Sequence, residues 1–330
     1  MSLSHPDQYI HDRGNSVRVV FPTSILAKRH HSTHEIVDGD RDAAMKAARI
    51  ARDSFLAERN TPLPSRSEID FNSIMVPDNS AGFNDQPLVI KGGNALVFSD
   101  THVPHHNKLM LRRAIYIARR YFPHIEDFAV VGDSWDFNSL SRHPKDAPQE
   151  NLDEVLELGA DMYRMVGDYF NRAHVCNGNH DARIGLKLDA PFTLKRVFNS
   201  AFGEGWPTCA MNISNLDYLL LDHDDPTRRW MLGHPSHYNG AGGTTAAAIA
   251  DLEGMNVATA HSHVVGMQQS KSGRHIGIDL GHMTEPNRHY YLKRRMTKYA
   301  KWTAGFLIIS NGMPYQYTER WTDWQALGCQ

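Results

Sequence analysis

Groups of Asp, Asn and His side chains follow five short apolar runs in this chain. In chain order the groups read Asp-x-His, Gly-Asp-x-x-Asp, Gly-Asn-His-Asp, Gly-His and His-x-His. Carboxylate, amide and imidazole ligands without thiolate suit hard to borderline divalent ions such as manganese, iron or zinc. The candidate ligands are Asp100, His102, Asp133, Asn179, His234, His261 and His263. Seven ligands are too many for one tetrahedral ion, so the set predicts two ions roughly 3.5–4 Å apart that share a carboxylate.

The apolar runs themselves have the length and composition of buried β-strands. They cover residues 95–98, 128–131, 174–176, 230–232 and 257–258. In sheets with helical crossovers, ligands bind in the crevice beyond the carboxyl ends of the strands. Five strand ends that carry metal-binding side chains therefore predict one shared pocket.

Each short pattern taken alone has an ordinary structural explanation. Asp-x-His occurs by chance, and Gly-Asp-x-x-Asp also fits a turn followed by a helix cap. The run Gly178-Asn179-His180-Asp181 is more specific, because a buried strand does not end in three polar side chains unless partners satisfy them. It is the ordered set of five patterns that indicates a site.

The five patterns, in this order from about residue 95 to the C-terminal hairpin, resemble those of the calcineurin-like metallophosphoesterases. The resemblance implies one ion held by Asp100, His102 and His263, a second held by Asn179, His234 and His261, and Asp133 as the bridge. Manganese is the expected metal, with iron, zinc or nickel as alternatives. One departure is Ala260, where the family usually has Gly; the extra methyl group should be tolerable.

His180 resembles the family's catalytic histidine, which faces the substrate and is not a ligand. The resemblance implies hydrolysis of a phosphoester by metal-activated hydroxide. His180 would then either stabilise the pentacoordinate phosphorus or protonate the leaving oxygen. Asp181, beside it in the chain, is expected to orient the ring and is included with His180 as a catalytic residue.

The substrate class is less sharply defined by the sequence. The second pattern lacks the Arg-Gly that follows its second Asp in the family's protein phosphatases, and Asp181 stands where that branch usually has Glu. Both departures favour a phosphodiesterase, and the patterns are also similar to uncharacterised phosphoesterases of bacteriophage genomes. The alternatives are a phosphomonoesterase or protein phosphatase, and a catalytically silent metal-bound scaffold.

Basic and aromatic residues near the patterns suggest single-stranded nucleic acid or nucleotides as the substrate. They are Arg142, His143 and Arg183, and a stretch containing Arg288, Tyr290, Tyr291, Lys293, Arg294, Arg295, Lys298, Tyr299, Lys301 and Trp302. The alternative is a solvated helix or turn whose aromatic rings face the core.

Three further histidines compete for roles. His223 and His237 flank His234, which is favoured as the ligand because it follows its apolar run directly. His237 is either a substrate contact or an exposed loop residue. His282 is expected behind the ligands or in the core.

Helices are predicted at residues 107–121, 151–170 and 242–252, and a hairpin at residues 305–319 turns at Asn311-Gly312. Residues 182–207 show no clear period and are predicted to be loop-rich. Alternating units early and hairpins late indicate an α/β fold with two packed sheets. The resemblance implies a four-layer α/β/β/α sandwich with two mixed β-sheets, here placed in a catalytic domain at residues 91–330.

Residues 1–90 are predicted to form an extension with one helix and a linker. The helix, at about residues 40–59 with Asp40 as its cap, is expected to pack on the catalytic domain; the alternative is a recruiting or dimerising arm. Pro-rich residues 61–64 should end it, and residues 76–82 read as the linker. His30, His31 and His34 are predicted to lie in a solvated loop rather than at a metal.

Composition fits a cytoplasmic enzyme. The 330 residues include 35 basic and 37 acidic side chains, so the net charge of -2 gives no global attraction to nucleic acid or membrane. Three cysteines make no disulfide framework. No run approaches the ~18 apolar residues of a membrane span, and the N-terminus lacks an apolar signal core.

Overall fold

The computed structural model of the chain describes residues 10–12, 16–21, 30–37, 40–58, 86–141, 151–188, 193–289, 292 and 301–329. The chain divides into two compact units, residues 1–80 and residues 81–330. Within the described ranges, no helix has the length and apolar character needed to cross a bilayer. Residues 61–64 and 76–82, the predicted helix end and linker, lie outside the described residues.

The first unit contains a three-stranded antiparallel sheet and one helix. Its elements are β1 (Ile10–Asp12), β2 (Ser16–Phe21), β3 (His30–Glu35) and α1 (Arg41–Glu58). The predicted cap is confirmed, because the Asp40 carboxylate accepts a hydrogen bond from the backbone N–H of Ala43 at 2.9 Å. Small residues on one face of α1, Ala44 and Ala48, are buried with Val17 and Val19 of β2. The helix therefore packs on the sheet of its own unit.

The three N-terminal histidines lie in a strand, so their predicted loop placement is wrong. In β3, His30 pairs with Phe21, His31 with Val20 and His34 with Val17. The neighbouring β2 is rich in β-branched residues and supplies backbone hydrogen bonds, which stabilise a polar partner strand that has no apolar pattern of its own.

The second unit contains two six-stranded mixed sheets. In the first, four parallel strands lie in the order β5 (Ala95–Phe98), β6 (Asp127–Val131), β7 (Arg172–Cys176) and β8 (Ala210–Ile213). The hairpin β14 (Gly305–Ser310) and β15 (Met313–Thr318) extends this sheet antiparallel to β5. The predicted turn is confirmed, since Asn311 and Gly312 both have positive φ, 51° and 73°.

The second sheet has the order β12-β13-β11-β10-β9-β4. Its strands are β4 (Val89–Ile90), β9 (Tyr218–Leu221), β10 (Trp230–Gly233), β11 (Asn256–Thr259), β12 (Val265–Gln269) and β13 (Ile276–Leu280). Strands β10, β11 and β13 are parallel to one another. Because β4 pairs with β9, residues 89 and 90 belong to this sheet, although they were predicted to end the N-terminal extension.

Five helices of the second unit are described: α2 (Lys108–Tyr121), α3 (Leu152–Gly167), α4 (Arg183–Leu188), α5 (Leu194–Phe202) and α6 (Thr244–Glu253). The predicted helices match α2, α3 and α6, and Asn107 and Asn151 cap the first two with their side-chain oxygens. The loop-rich prediction for residues 182–207 is wrong, because α4 and α5 lie there. Helix α5 is capped by Thr193, but it has only nine residues, so its apolar repeat is too short to be recognised in the sequence.

Side chains of the first sheet alternate between two cores. Leu96 and Phe98 of β5 point into a cluster that includes buried residues of α2, α3 and α5. Ala95 and Val97 point into a second cluster, which they share with Leu219 and other residues of the second sheet. Strands buried on both faces read as continuous apolar runs, which explains why these strands were visible in the sequence.

Candidate metal centre

The candidate ligands lie at the carboxyl ends of neighbouring parallel strands, as predicted. Strands β5, β6 and β7 of the first sheet lead into Asp100 and His102, Asp133, and Asn179 respectively; β10 and β11 of the second lead into His234, His261 and His263. Five of the seven are buried, whereas His261 is half-buried and Asn179 is exposed. The cluster is therefore accessible from the side of Asn179 and His261.

The first group consists of Asp100, His102 and His263, whose ligand atoms lie within 4.8 Å of one another. His263 Nε2 is 3.0 Å from Asp100 Oδ1 and 3.2 Å from His102 Nε2. This is the trio that the resemblance assigned to one ion, and its buried donor set could hold a metal ion.

The second group consists of Asp133, His234 and His261, also within 4.8 Å. Asn179 joins it, since its Oδ1 lies 3.1 Å from His234 Nε2. The backbone N–H of His261 donates to Asp100 Oδ2 at 3.2 Å, which ties the second group to the first. Both predicted sets of ligands are thus brought together.

Asp133 lies between the two groups. Its Oδ2 is 3.3 Å from His234 Nε2 and 3.8 Å from His102 Nε2. Its Oδ1 accepts a hydrogen bond from the backbone N–H of His180 at 2.8 Å. One carboxylate oxygen therefore faces a ring nitrogen from each group.

The protonation of His234 follows from its neighbours. Its Nδ1 is 3.1 Å from the carbonyl oxygen of Val131, and a carbonyl can only accept, so Nδ1 carries the proton. In the neutral ring, Nε2 then has a lone pair, yet it faces two more acceptor oxygens, Asp133 Oδ2 and Asn179 Oδ1. Three acceptors that converge in this way require a cation between them, either a proton or a metal.

His102 has the same arrangement. Its Nδ1 is 3.1 Å from Asp136 Oδ1, so an ionised Asp136 holds the proton on that side. Its Nε2 is left facing Asp100 Oδ1 at 3.8 Å and His263 Nε2 at 3.2 Å. A carboxylate that fixes a histidine's distal nitrogen is the usual support behind a metal-binding imidazole. The residues present therefore fit a metal site.

Electrostatics in the cluster favour positive charge. Burial on its own lowers the pKa of His102 and His234, but the adjacent carboxylates, above all Asp100 and Asp136 for His102 and Asp133 for His234, raise the pKa to about 10 and about 9. Burial on its own raises the pKa of Asp133, yet the nearby histidines hold it well below its ordinary value. The field that retains protons on these rings attracts a metal ion as well.

His261 behaves differently. Burial and the neighbouring His234 lower its pKa to about 4, so its ring is neutral near pH 7 and offers a lone pair.

The backbone at the ligands adopts conformations that L-residues rarely use. Five of the seven candidate ligands have positive φ: Asp100 at 50°, His102 at 45°, Asp133 at 51°, His261 at 73° and His263 at 57°. Such conformations cost of order 1–3 kcal/mol each and persist where surrounding structure imposes them, typically at functional sites. This strain is an indication of function independent of side-chain type.

Two glycines of the patterns permit close backbone approach. A Cβ at Gly178 would overlap the backbone N and Oδ1 of Asp133, and a Cβ at Gly132 would lie 2.5 Å from His234 Nδ1. The methyl group of Ala260, the departure noted above, is buried in the core between the sheets. Only the two glycines are therefore required by the geometry of the ligands.

Asp136, rather than Asp181, orients His180. The ring Nδ1 of His180 is 2.8 Å from Asp136 Oδ1 and 3.0 Å from the Asp136 carbonyl. The Asp181 carboxylate instead accepts hydrogen bonds from the backbone N–H groups of Ser134, Trp135 and Gly178. Burial, and secondly repulsion from Asp133, raise the pKa of Asp181 to about 7. Asp181 thus supports the loops, and the prediction that it sets the orientation of His180 is corrected.

A third group was not foreseen from the sequence. His105, Asp136 and His289 bring their ligand atoms within 4.8 Å of one another, and Asp136 belongs also to a group with His102 and His180. Asp136 is the second Asp of Gly-Asp-x-x-Asp, which was the available signal. His105 and His289 stand in no pattern, so their approach depends on the fold alone.

The competing histidines are accounted for. His223 Nε2 contacts Asn311 Oδ1 at 2.9 Å, away from the ligands, so His234 is the histidine that this segment places in the cluster. His237 is exposed and contacts Ser236. His282 is buried behind His263, with ring centroids 5.6 Å apart, as expected.

Most of the predicted basic stretch lies outside the described residues. Arg288, Lys301 and Trp302 are described, but Tyr290, Tyr291, residues 293–300, Arg142 and His143 are not. The Trp302 ring lies 3.9 Å from that of His263. The ring of Tyr238 is 5.1 Å from that of His261.

No protein-family model and no curated protein matches the chain. Among solved structures, it is similar to a hypothetical protein from Pyrococcus horikoshii OT3, at 12% identity and a TM-score of 0.39. That likeness covers 74% of this chain and 95% of the other.

Proposed function

We propose that this protein is a dinuclear, metal-dependent phosphoester hydrolase that prefers phosphodiesters. The observation that carries the proposal is the position of Asp133 Oδ2, 3.3 Å from His234 Nε2 and 3.8 Å from His102 Nε2. These two nitrogens belong to separate groups of ligands. A single carboxylate oxygen facing both suits a bridge between two divalent cations.

Each ion would have a defined set of residues. Asp100, His102 and His263 would hold one ion, Asn179, His234 and His261 the other, and Asp133 both. Oxygen and imidazole donors suit manganese, with iron, zinc or nickel as alternatives. When bound, two such ions lower the pKa of a coordinated water and offset charge that develops at phosphorus.

His180 would act on the substrate. Its Nδ1 is anchored by Asp136, and its ring is half-buried beside His102, with centroids 4.4 Å apart. A histidine held in this way either stabilises the negative charge at phosphorus or protonates the leaving oxygen. Asp136 would be a positioning residue that keeps the ring in place.

Nucleotides or single-stranded nucleic acid are the substrate class that we favour. Tyr238, 53% exposed, lies against His261, and Trp302 lies against His263. Aromatic faces beside a phosphate-binding centre can stack on bases, and the exposed Lys301 adds positive charge next to Trp302.

A layered arrangement accompanies this proposal. We infer that the predicted domain at residues 91–330, together with β4 just before it, forms a four-layer α/β/β/α sandwich, and that the preceding residues are an extension. In support, α2, α3 and α5 share a core with one face of the first sheet. The other face shares a core with the second sheet, and α6 packs against Val257 on that sheet's remaining face.

Hydrolysis by metal-stripped protein reloaded with Mn²⁺ tests the function. The substrates are bis(p-nitrophenyl) phosphate, p-nitrophenyl phosphate and single-stranded DNA, with metal-stripped protein as the control. We expect diester cleavage only after reloading, and DNA cleavage that falls steeply with salt. Faster monoester than diester cleavage would favour a phosphomonoesterase or protein phosphatase. No turnover by protein that binds metal would favour a silent scaffold.

A further inference from the structure

Arg183 contacts two residues beside the candidate metal centre, Asp136 and His180. Its Nη1 donates to the carbonyl oxygen of Asp136 at 2.7 Å, and its Nη2 lies 2.8 Å from His180 Nε2. The residue begins the short helix α4 and is half-buried. No metal ligand prediction and no step of the proposed hydrolysis uses this side chain.

Hydrogen-bond chemistry fixes the state of this contact. A guanidinium can only donate, so His180 Nε2 accepts from Arg183 and the ring proton lies on Nδ1, facing Asp136. The nitrogen that would face the leaving oxygen is therefore covered by a cation. The guanidinium donates to two acceptors, the Asp136 carbonyl oxygen and His180 Nε2, and together they fix the position of the Arg183 side chain.

Arg183 places a cation beside a cluster that contains the carboxylates of Asp100, Asp133 and Asp136. An anionic phosphoester that approaches the carboxylates of the cluster needs cationic groups on the protein as well as metal. A planar guanidinium with five N–H donors matches the oxygens of a phosphoryl group.

We propose that Arg183 binds a non-bridging oxygen of the phosphoryl group that reacts at the metal centre, an inference that rests on the proposed function. On substrate binding, the Nη2 donor exchanges His180 Nε2 for that oxygen while Nη1 stays on the Asp136 carbonyl. The exchange frees the Nε2 lone pair of His180 to take a proton from water, and the ring can then donate that proton to the leaving oxygen as its bond to phosphorus breaks. Arg183 is thus a substrate-binding residue that also holds His180 until substrate arrives.

Binding of inorganic phosphate to Mn²⁺-loaded protein, measured by calorimetry, tests this role together with KM for bis(p-nitrophenyl) phosphate. Arg183→Gln should weaken phosphate binding and raise KM by about tenfold to a hundredfold, the range for a hydrogen bond to a charged group. Arg183→Lys should fall between, since it keeps the charge but loses the fork. Lys187→Gln, which removes an exposed positive charge one turn along α4, is the matched control and should change neither value.

The outcomes separate the two proposals. Unchanged phosphate affinity and KM in an Arg183→Gln protein that retains its metal and its melting temperature would overturn the role of Arg183 alone. A fall in kcat with both binding values unchanged would also overturn it, because Arg183 would then only position His180. If no phosphoester is hydrolysed but phosphate affinity still depends on Arg183, the hydrolase proposal fails and the phosphate site stands.

Discussion

His102 and His234 are each held at one ring nitrogen so that the other faces only acceptors. The Asp136 carboxylate fixes His102, and the Val131 carbonyl fixes His234. Both Nε2 atoms then converge with carboxylate oxygens of Asp100 and Asp133. Because lone pairs repel one another, the cluster is complete only with positive charge at its centre.

Metal binding should therefore release protons. In the metal-free protein the raised pKa values of His102 and His234, about 10 and about 9, keep both rings protonated at pH 7. A metal ion displaces those protons, so affinity should increase about tenfold per pH unit for each proton released. Calorimetry in buffers of different ionisation enthalpy measures the release. No proton release between pH 6 and 8 would contradict the protonation states derived above.

Replacement of His180 should separate turnover from metal binding. His180→Ala removes a ring that the proposed function does not use as a ligand, so metal content should stay unchanged while kcat falls by about 10²- to 10⁴-fold. His124→Ala is a matched control. This exposed histidine lies in the turn before β6, where its ring contacts the Ser310 hydroxyl, and it does not belong to the cluster of candidate ligands. Loss of metal in His180→Ala would show that its role is misassigned.

The sequence was sufficient to predict that the seven candidate ligands come together, since each follows an apolar run and has a side chain that can bind metal. It was not sufficient to choose the partner of His180. Asp181 is adjacent in the chain, but the backbone turns its carboxylate toward the N–H groups of Ser134 and Trp135. Asp136 reaches the ring from another strand end, which only the packing of β6 against β7 determines.

At the scale of elements, the candidate ligands are kept in place because the strands that precede them are buried on both faces. Gly178, two residues after β7, lies against Asp133, two residues after β6, so the two loops approach more closely than any side chain would allow. The ladder between β6 and β7, five residue pairs from Asp127↔Arg172 to Val131↔Cys176, fixes this register.

Gly178→Ala should displace Asp133. The added methyl group meets Asp133, so we expect a loss of about 1–3 kcal/mol in unfolding free energy and weaker binding of at least one ion by about 10- to 100-fold. Gly240→Ala is the control, since its Cβ would meet nothing within 4 Å. Thermal melts and metal analysis of both variants check this. Equal metal affinity in the two would mean that close loop approach is unimportant.

Element prediction succeeded where the pattern was long or capped and failed where neighbours stabilise the element. Helix α2 was found because its apolar period and its Asn107 cap agree. Helix α5 covers only nine residues, so the helical spacing of its apolar residues was not recognised within residues 182–207. Strand β3 has no apolar pattern and depends on pairing with β2, which the sequence does not reveal.

At the scale of the whole molecule, the candidate ligands come from two sheets that share a core. Asp100, His102, Asp133 and Asn179 follow strands of the first sheet, and His234, His261 and His263 follow strands of the second. The sheet order could not be read from the sequence, because β14 pairs with β5 across about two-thirds of the chain. The residue pattern of a strand does not show which distant strand it will pair with.

Metal ions should stabilise the second unit as a whole, since they would connect the two sheets at their strand ends. At a free metal concentration of about 100 times Kd, the expected gain is about 2.7 kcal/mol in unfolding free energy per site. Melting temperatures with Mn²⁺ and with chelator measure it. Asp133→Asn should reduce the gain; an identical melting temperature with and without metal would contradict binding across the sheets.

The most direct test of the central claim is the number and spacing of bound Mn²⁺ ions, measured by metal analysis and electron paramagnetic resonance on reloaded protein. We expect two ions per chain with the spin coupling of a pair roughly 3.5–4 Å apart. Asp133→Asn should abolish the coupling, because it removes the oxygen that faces both groups. One ion per chain, or two without coupling, would contradict a bridged dinuclear centre.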